Sequence, residues 1–485
     1  MNKGIIYRFQ YLFLGLIFVL ALFLRFVRLD SIPSGLSQDE TAIGYNAYSI
    51  LTSGKDEFGK QMPLYFKSFG DQKLPVYIYL TAASEKIFGV NPLGVRFPSA
   101  FFGSLTILIL FFLIKKITDN TPLALASSFL LSITPWHLHF SRAAFEVNVA
   151  LFFALAGTLL MILGKEKTKW QFLLLIFSIL SFGLSLYSYN VTRLLSPLLA
   201  IVVAIIYRKD FLKLSKRTII ILALSVAFIL FPFVSTFLSN AGASSASGAL
   251  ITSNDIQAKM LEFRSYFVNN AIISKILFNK WVGMIWTYFE NLGSILNGNF
   301  FFVQGSIHGN QGIGTTGSFY LFQLPLFILG LISILKDNYS KLKLFVWWGI
   351  IALLILGLSK EVPHATRGYF LLIPVTLLSG SGFLYGLELL KKFSKNIKIL
   401  IFIFFALFFI FNVFYYFSSY YVRFPIYYAK EWRQQDKELV SYLLQNQGKY
   451  GKIIFDNKAD FIYTSYLFLF KIFSAELCRV GSKNY

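Results

Sequence analysis

Two adjacent carboxylates, Asp39 and Glu40, are the residues of this sequence whose types and spacing best suit chemistry. They lie in the stretch 30–51, DSIPSGLSQDETAIGYNAYSIL, directly after the first apolar run. A carboxylate at a membrane edge, partly removed from water, has the raised basicity that a general base needs. The pair also has an ordinary structural interpretation, in which Asp39 complements a helix dipole and Glu40 caps the helix. Both interpretations fit the pattern.

A short helix must position this pair. Ser37 followed three residues later by Glu40 fits a capping box, in which each residue satisfies a backbone N–H of the other. Apolar side chains then recur at helical spacing and predict a helix lying on the membrane surface: Ile43, Ala47, Ile50 and Leu51. Both acids precede this stripe, so we expect them at the head of the buried face.

A second polar group follows in WHLHFSRAAFE, residues 136–146. Glu146 is either a second carboxylate that meets the first pair or an ordinary acid at a helix start. His137 and His139 beside an acid also suggest a metal site, although this spacing is not that of a helical ligand pair. Any metal is expected on Glu40 and Glu146, and the sequence leaves its presence open.

Basic side chains near the same loops are candidates for binding a phosphate: Arg25, Arg96, Arg142, His364 and Arg367. Arginines on the outer side run against the usual bias of basic residues toward the cytoplasm. Two explanations remain open: the arginines extend to lipid phosphates, or they bind an anion at the site. The Gly-rich loop GSIHGNQGIGTTGSF contributes His308, which we expect near the site.

Composition predicts a polytopic helical membrane protein. The 485 residues are 56% hydrophobic and 14% charged, whereas soluble domains have about 25% charged residues. A net charge of +22 would suggest nucleic acid as the partner of a soluble protein. Here Lys and Arg lie in short breaks between apolar runs, so we expect them to contact membrane lipids and expect no nucleic-acid partner.

The apolar runs predict about eleven spans, with the basic breaks and the N-terminus in the cytoplasm. We expect a multi-pass protein of the plasma (inner) membrane, with the long outer loops 30–96 and 237–318 and a small mixed extracytoplasmic segment, 418–485, that includes a short strand at 452–456. The spans are 9–29, 97–114, 120–135, 147–164, 171–187, 194–207, 218–236, 319–335, 344–359, 368–390 and 399–417.

The sequence resembles the family-39-type glycosyltransferases of the membrane-embedded GT-C class. This class includes the protein O-mannosyltransferases and the bacterial aminoarabinose transferases that act on lipid A. The matching pieces come in the expected order: LFLRFVRLD, SQDETAIGYNAYSIL, FGDQKLPVYIYL, VRFPSAFFG, HFSRAAFE, YSYNVTR and PHATRGYFLLIP. The resemblance implies an all-α, GT-C-like bundle with extracytoplasmic interfacial helices, and it implies that residues 1–417 form the catalytic domain.

The resemblance also implies an activity. It is the inverting transfer of a hexose or pentose from a polyprenyl-phosphate-linked donor to an acceptor hydroxyl or phosphate on a lipid, glycan or protein at the outer face. Asp39 would then be the general base, with Glu40 and Glu146 as the other acidic residues of the site. The five basic residues named above would hold the donor phosphate. Some relatives use a divalent metal ion, so no cofactor is certain.

A transporter or flippase of lipid-linked sugars without catalysis is the alternative. Transporters place charged residues and broken helices near the bilayer midplane, often within inverted repeats. In this chain the charges cluster at one face and the long loops are asymmetric. The pattern therefore favours the enzyme.

Overall fold

The computed structural model describes residues 3–68, 71–237, 250–266, 271–306, 308–446, 449 and 462–470. The first half of the chain is a series of helices with one small hairpin between the second and third. Its elements are α1 (Lys3–Phe26), α2 (Gln38–Ser53), β1 (Phe66–Ser68), β2 (Asp71–Lys73), α3 (Pro75–Phe88), α4 (Pro92–Thr118), α5 (Thr121–Ile133), α6 (Pro135–Phe140), α7 (Glu146–Gly164), α8 (Gln171–Leu186), α9 (Thr192–Ile206), α10 (Arg208–Phe211) and α11 (Lys216–Phe237).

The second half is helical as well, with short π-helical or 3-10 turns at Ile334–Asn338, Tyr369–Leu371 and Ser419–Arg423. Its helices are α12 (Ser253–Ser265), α13 (Ala271–Leu277), α14 (Lys280–Leu296), α15 (Asn299–Phe302), α16 (Gln323–Ser333), α17 (Tyr339–Gly357), α18 (Ala365–Gly368), α19 (Leu372–Leu390), α20 (Lys395–Ser418), α21 (Phe424–Tyr427), α22 (Gln434–Gln445) and α23 (Ile462–Phe470).

The chain is a membrane protein, and each predicted span coincides with a helix. Among the described residues, five helices are long and apolar enough to cross a bilayer: 9–26, 92–118, 146–164, 365–390 and 395–427. Five further apolar helices are shorter, within 121–133, 171–186, 192–206, 323–336 and 342–357. The total of about eleven spans and the side that each loop faces stay predictions.

The start of helix α4 differs from the predicted start of its span, and this difference affects a candidate site residue. Helix α4 begins at Pro92, five residues before the predicted start at 97. Asn91 caps it by accepting a hydrogen bond from the Gly94 N–H (2.9 Å), and proline at the first helical position suits a helix start. Arg96 is therefore a residue of the helix itself, with a fixed direction for its side chain.

Helix α2 has the predicted capping box, and more of the helix is buried than its apolar stripe predicts. The Ser37 N–H donates to Glu40 Oε2 (3.0 Å), and the Glu40 N–H donates to Ser37 Oγ (3.3 Å). All residues from Glu40 to Ala47 are buried, because α3 and α4 pack on one side and α23 on another. Thr41 and Thr464 share a hydrogen bond of 3.1 Å across the contact with α23. The buried face of α2 is therefore wider than the predicted apolar stripe, and its position at a membrane surface stays a prediction.

The described part of the C-terminal segment covers the first loop. Helix α22 contacts α23, and α23 contacts α2. Gly35 lies directly against the carbonyl oxygen of Trp432, which leaves no room for a side chain at that position. The strand predicted at 452–456 lies outside the described residues, and the division of the chain at 417 stays a prediction.

Candidate active site

Lys73 brings two carboxylates together at the head of α2. Its Nζ lies 2.6 Å from Asp39 Oδ1 and 3.8 Å from Glu146 Oε1. Asp39 is in the first turn of α2, Glu146 is the first residue of α7, and Lys73 ends β2. The antiparallel pairing of β1 with β2, with Phe66 opposite Lys73, fixes the direction in which the lysine points. Glu146 and Asp39 therefore share one lysine, whereas the role of Glu146 in the site stays a prediction.

The two neighbouring acids have opposite environments. The Asp39 side chain is 61% exposed, whereas the Glu40 side chain is 2% exposed. Each Glu40 oxygen accepts two N–H bonds: Oε1 from Arg96 Nε and the Ala144 backbone, and Oε2 from Ser37 and Arg96 Nη2. Glu40 therefore holds the fold together and has no oxygen facing a substrate or a metal ion. This geometry does not support the expected metal pair of Glu40 and Glu146.

Arg96 is also fully engaged by the protein. Its Nε donates to Glu40 Oε1 (2.8 Å), and one N–H of its Nη2 donates to Glu40 Oε2 (3.2 Å). The other N–H groups donate to the backbone carbonyls of Leu29, Pro33 and Gly35. Because all five N–H groups of a guanidinium are used in this way, none remains for a phosphate. Arg96 fixes the segment that leads from α1 to α2.

Arg142 and Arg25 hold the end of α1 in a similar way, and both are buried. Arg142 donates to two carbonyls in the last turn of α1, those of Leu24 and Arg25. It also donates to the carbonyls of Arg28 and Ile32, just after the helix, and to the Tyr420 hydroxyl. Arg25 donates to the carbonyls of Ala21 and Ser132 and to His137 Nδ1 (2.6 Å). We therefore reassign Arg96 and Arg142 from the phosphate to the positioning of the 24–35 segment. Arg25 makes similar contacts, but its buried Nε has no hydrogen-bond partner among the described residues.

His137 and His139 do not form a metal site with Glu146 in this geometry. His137 Nδ1 accepts the Arg25 bond, and the ring is buried. His139 Nε2 lies 2.9 Å from the carbonyl oxygen of Asn310, to which it donates. Burial lowers the pKa of His139 to about 4, so the ring stays neutral at physiological pH. The hydrogen bond from His139 to Asn310 holds the Gly-rich loop against the helix bundle.

His308 and His364 do come together, as expected of residues near one site. Their ring centroids are 5.3 Å apart. Burial lowers the pKa of His364 to about 3, and the charges of Arg367 and His308 add to this effect. Arg367 has a buried Nη1 without a hydrogen-bond partner among the described residues, as Arg25 has at its Nε, but Arg25 donates through its other nitrogens to the protein. Arg367 is the candidate whose N–H geometry best leaves room for an anion.

A buried hydrogen bond joins the two groups of residues. Tyr369 donates its hydroxyl hydrogen to Asn148 Oδ1 (2.9 Å), and Asn148 donates to the Ser99 carbonyl (2.9 Å). Asn148 lies two residues after Glu146, and Tyr369 lies two residues after Arg367. The acidic group and the His–Arg group therefore lie around the same region of the bundle.

Sequence reasoning missed Lys73 and Glu361. Lys73 was visible only as part of the landmark FGDQKLPVYIYL, and its partner Asp39 is 34 residues away. Glu361 lies three residues before His364, and its Oε2 is 3.9 Å from His364 Nε2. The spacing Glu-x-x-His was a usable signal for the second pair, whereas nothing local pointed to the first.

Comparison with known proteins gives this geometry a family context. The model of the dolichyl-phosphate-mannose-protein mannosyltransferase family matches residues 72–236, a stretch that includes Lys73 and Glu146. The solved structure of ArnT from Cupriavidus metallidurans bound to undecaprenyl phosphate aligns with a TM-score of 0.57 at 12% identity, over 94% of this chain and 84% of that one. The predicted resemblance to the family-39-type GT-C proteins is confirmed.

A second GT-C structure agrees with this fold. The archaeal oligosaccharyltransferase AglB from Archaeoglobus fulgidus, in complex with an inhibitory peptide and a dolichol-phosphate, aligns with a TM-score of 0.52 at 14% identity. The alignment covers 95% of this chain and 59% of AglB, so the chain spans less than two thirds of that relative's length. No curated protein matches the chain by sequence. At these identities the structural likeness establishes the GT-C fold.

Proposed function

We propose that this chain is an inverting glycosyltransferase that moves a sugar from a polyprenyl-phosphate-linked donor to an acceptor at the outer face of the membrane. The GT-C fold and the match over 72–236 support the reaction class. The observation that carries the proposal is the difference in burial between two neighbouring acids of α2. Glu40 is buried in the fold, whereas Asp39 is exposed and lies beside Lys73 and Glu146.

Asp39 is the proposed general base. The proton of the acceptor hydroxyl passes to the Asp39 carboxylate as the acceptor oxygen forms its bond to the anomeric carbon. The bond from that carbon to the phosphate oxygen breaks, and the polyprenyl phosphate leaves with the electron pair. Attack opposite to the leaving group inverts the anomeric carbon. A general base contributes roughly 10²–10⁴-fold to the rate of such a step.

Lys73 is the proposed positioning group for this base. Its ammonium lies between two carboxylates that would otherwise repel each other, and its side chain is only 11% exposed. A partly buried ammonium at this place offsets the repulsion between the two acids and holds Asp39 in one orientation. Glu146 shares the lysine and is the proposed second acidic residue of the site.

The leaving phosphate needs a positive partner that is still free to bind it. Arg367 meets this requirement best, since its buried Nη1 has no hydrogen-bond partner among the described residues. An N–H group fixed in advance at the site of developing charge stabilises the transition state more than water does. His364 lies three residues before Arg367 and lines the same part of the proposed site. Arg96 and Arg142 act indirectly, by fixing the segment before Asp39.

The donor and the location are proposed by analogy with the relatives. ArnT is described as bound to undecaprenyl phosphate, and AglB as bound to a dolichol-phosphate and a peptide. A polyprenyl-phosphate-linked sugar is therefore the proposed donor, and a lipid, a glycan or a protein the proposed acceptor. We place the protein in the plasma membrane, with the N-terminus in the cytoplasm and the site and C-terminus outside.

The test uses the purified protein in lipid vesicles that contain polyprenyl-phosphate-linked sugars with a labelled sugar. Release of free polyprenyl phosphate together with transfer of the label to an added acceptor supports the proposal. Movement of intact donor across the bilayer, with the sugar still attached, would instead support the flippase alternative and overturn the assignment as a transferase.

A further inference from the structure

We propose that His308, Glu361 and His364 form a binding site for a divalent transition-metal ion, with zinc as the reference ion. The three residues come from two loops that are far apart in sequence. His308 lies in the loop between α15 and α16, and the other two lie between α17 and α18. Within the described chain this group offers one imidazole nitrogen from each histidine and one carboxylate oxygen, all within 4.8 Å of one another.

The three ligand atoms, which lie within 4.8 Å of one another, would have to approach by up to about 1.4 Å to hold a tetrahedral ion. Zinc binds histidine nitrogen at about 2.0–2.1 Å and carboxylate oxygen at about 2.0–2.2 Å, so tetrahedral ligands lie roughly 3.4 Å apart. His364 Nε2 and Glu361 Oε2 are already 3.9 Å apart. The Glu361 side chain is 60% exposed and therefore free to move the remaining fraction of an ångström. Two imidazoles with one carboxylate also suit zinc or ferrous iron better than the oxygen-seeking calcium and magnesium ions.

Thr366 fixes the orientation of one ligand. Its Oγ1 lies 3.0 Å from His364 Nδ1, and a proton on Nδ1 shared with this oxygen leaves the lone pair of Nε2 directed toward Glu361. A bond of this type to the second nitrogen is the usual way in which proteins hold a metal-binding histidine in one tautomer. The histidine is also buried to 9% exposure, which keeps its ring in place.

The fourth position of a tetrahedral ion is left for an anion. Arg367 follows His364 by three residues, and a divalent cation beside a guanidinium is favourable only if negative charge accompanies it. Glu361 supplies one negative charge. The buried Arg367 Nη1, which has no hydrogen-bond partner among the described residues, indicates a second negatively charged group. We infer that an oxyanion such as phosphate bridges the ion and Arg367. This holds whether or not the chain transfers a sugar.

Metal binding is measured directly on the purified full chain, stripped with a chelator and titrated with zinc or cobalt. We expect one equivalent of ion per chain and a tetrahedral cobalt absorption spectrum. His308→Ala and His364→Ala should abolish that binding, and Thr366→Val should weaken it about 10–100-fold. Glu290→Gln is the matched control, since Glu290 is half-exposed and pairs with Lys259 elsewhere.

Thermal unfolding without metal shows whether each variant is folded before its binding is interpreted. Equal zinc stoichiometry and affinity in the wild type and in both histidine variants would overturn the site, as would the absence of any bound ion in the wild type. Inorganic phosphate should change the cobalt spectrum of the wild type and leave that of Arg367→Gln unchanged. An unchanged wild-type spectrum would overturn the anion position alone.

Discussion

Lys73 Nζ lies 2.6 Å from Asp39 Oδ1, so a residue of the β-hairpin neutralises a carboxylate at the head of helix α2. The same ammonium is 3.8 Å from Glu146, which begins helix α7. Three separate elements of the chain therefore meet at one cation. This arrangement leaves Asp39 exposed and oriented, whereas the neighbouring Glu40 is enclosed by Arg96.

Removal of the Lys73 charge should impair transfer without unfolding the protein. In Lys73→Gln the Asp39 and Glu146 carboxylates repel each other, and a displaced base lowers the rate by about 10²-fold. The initial rate of sugar transfer measures the effect. Lys116→Gln is the matched control, because Lys116 forms an ion pair of the same length, 2.6 Å, with Glu166 at a predicted cytoplasmic break. Equal rates for the two variants would remove Lys73 from the site.

Glu40→Gln should destabilise the fold, because it leaves the buried Arg96 charge without its partner. Loss of one member of a buried ion pair costs about 3–5 kcal/mol in the free energy of unfolding. The midpoint of thermal unfolding in detergent should fall clearly, and Arg96→Lys should lower it too, since lysine lacks the planar fork that contacts three carbonyls. A Glu40→Gln protein with unchanged stability and no transfer would mark Glu40 as catalytic instead.

Gly35→Ala should loosen the C-terminal segment from the first loop. A Cβ at this position collides with the Trp432 backbone, and overpacking of this kind costs about 1–3 kcal/mol. We expect faster proteolysis within residues 424–446 and a lower unfolding midpoint. Gly293→Ala in helix α14 is the control, because a Cβ there meets open space. Identical behaviour of the two variants would contradict the close approach of the tail.

Glu85 makes the stability of the protein depend on pH. Burial raises the pKa of Glu85 to about 9, and neither carboxylate oxygen has a hydrogen-bond partner among the described residues. Between its ordinary value near 4.5 and about 9, the unfolded chain loses this proton while the folded chain keeps it. The contribution of Glu85 to stability is therefore complete at low pH and lost as pH rises, by at most about 1.4 kcal/mol per pH unit.

Glu85→Gln removes the ionisable group and keeps the shape. The variant should be more stable than the wild type at pH 8, and this difference should shrink as the pH approaches 5. Thermal unfolding over this pH range measures it, with Glu290→Gln as a half-exposed control. A constant difference across the range would show that Glu85 is ionised in the folded protein.

The sequence predicted the parts of this fold that depend on local patterns. Apolar runs mark the spans, and the Ser37–Glu40 capping box is present as expected because both bonds form within one helical turn. Helix α3 ends before Gly89, which has the positive φ of 85° that favours glycine.

Such local patterns do not predict which groups the charged side chains contact. Arg96 was a candidate for the phosphate, but its contacts are to backbone carbonyls more than 60 residues earlier in the chain. Arg25 meets His137 across 112 residues in the same way. Most of α2 is buried, in part by α23, whose position depends on the fold of the distant C-terminal segment. Local spacing shows where charges lie along the chain and not which groups they meet.

The most direct test of the account is the rate of single-turnover sugar transfer by Asp39→Asn, measured beside donor binding by the same protein. Asparagine keeps the size of the side chain and removes the base. We expect transfer from a polyprenyl-phosphate-linked donor to fall by roughly 10²–10⁴-fold, while donor affinity and the unfolding midpoint stay close to those of the wild type. Transfer by Asp39→Asn at the wild-type rate would contradict the assignment of Asp39 as the general base.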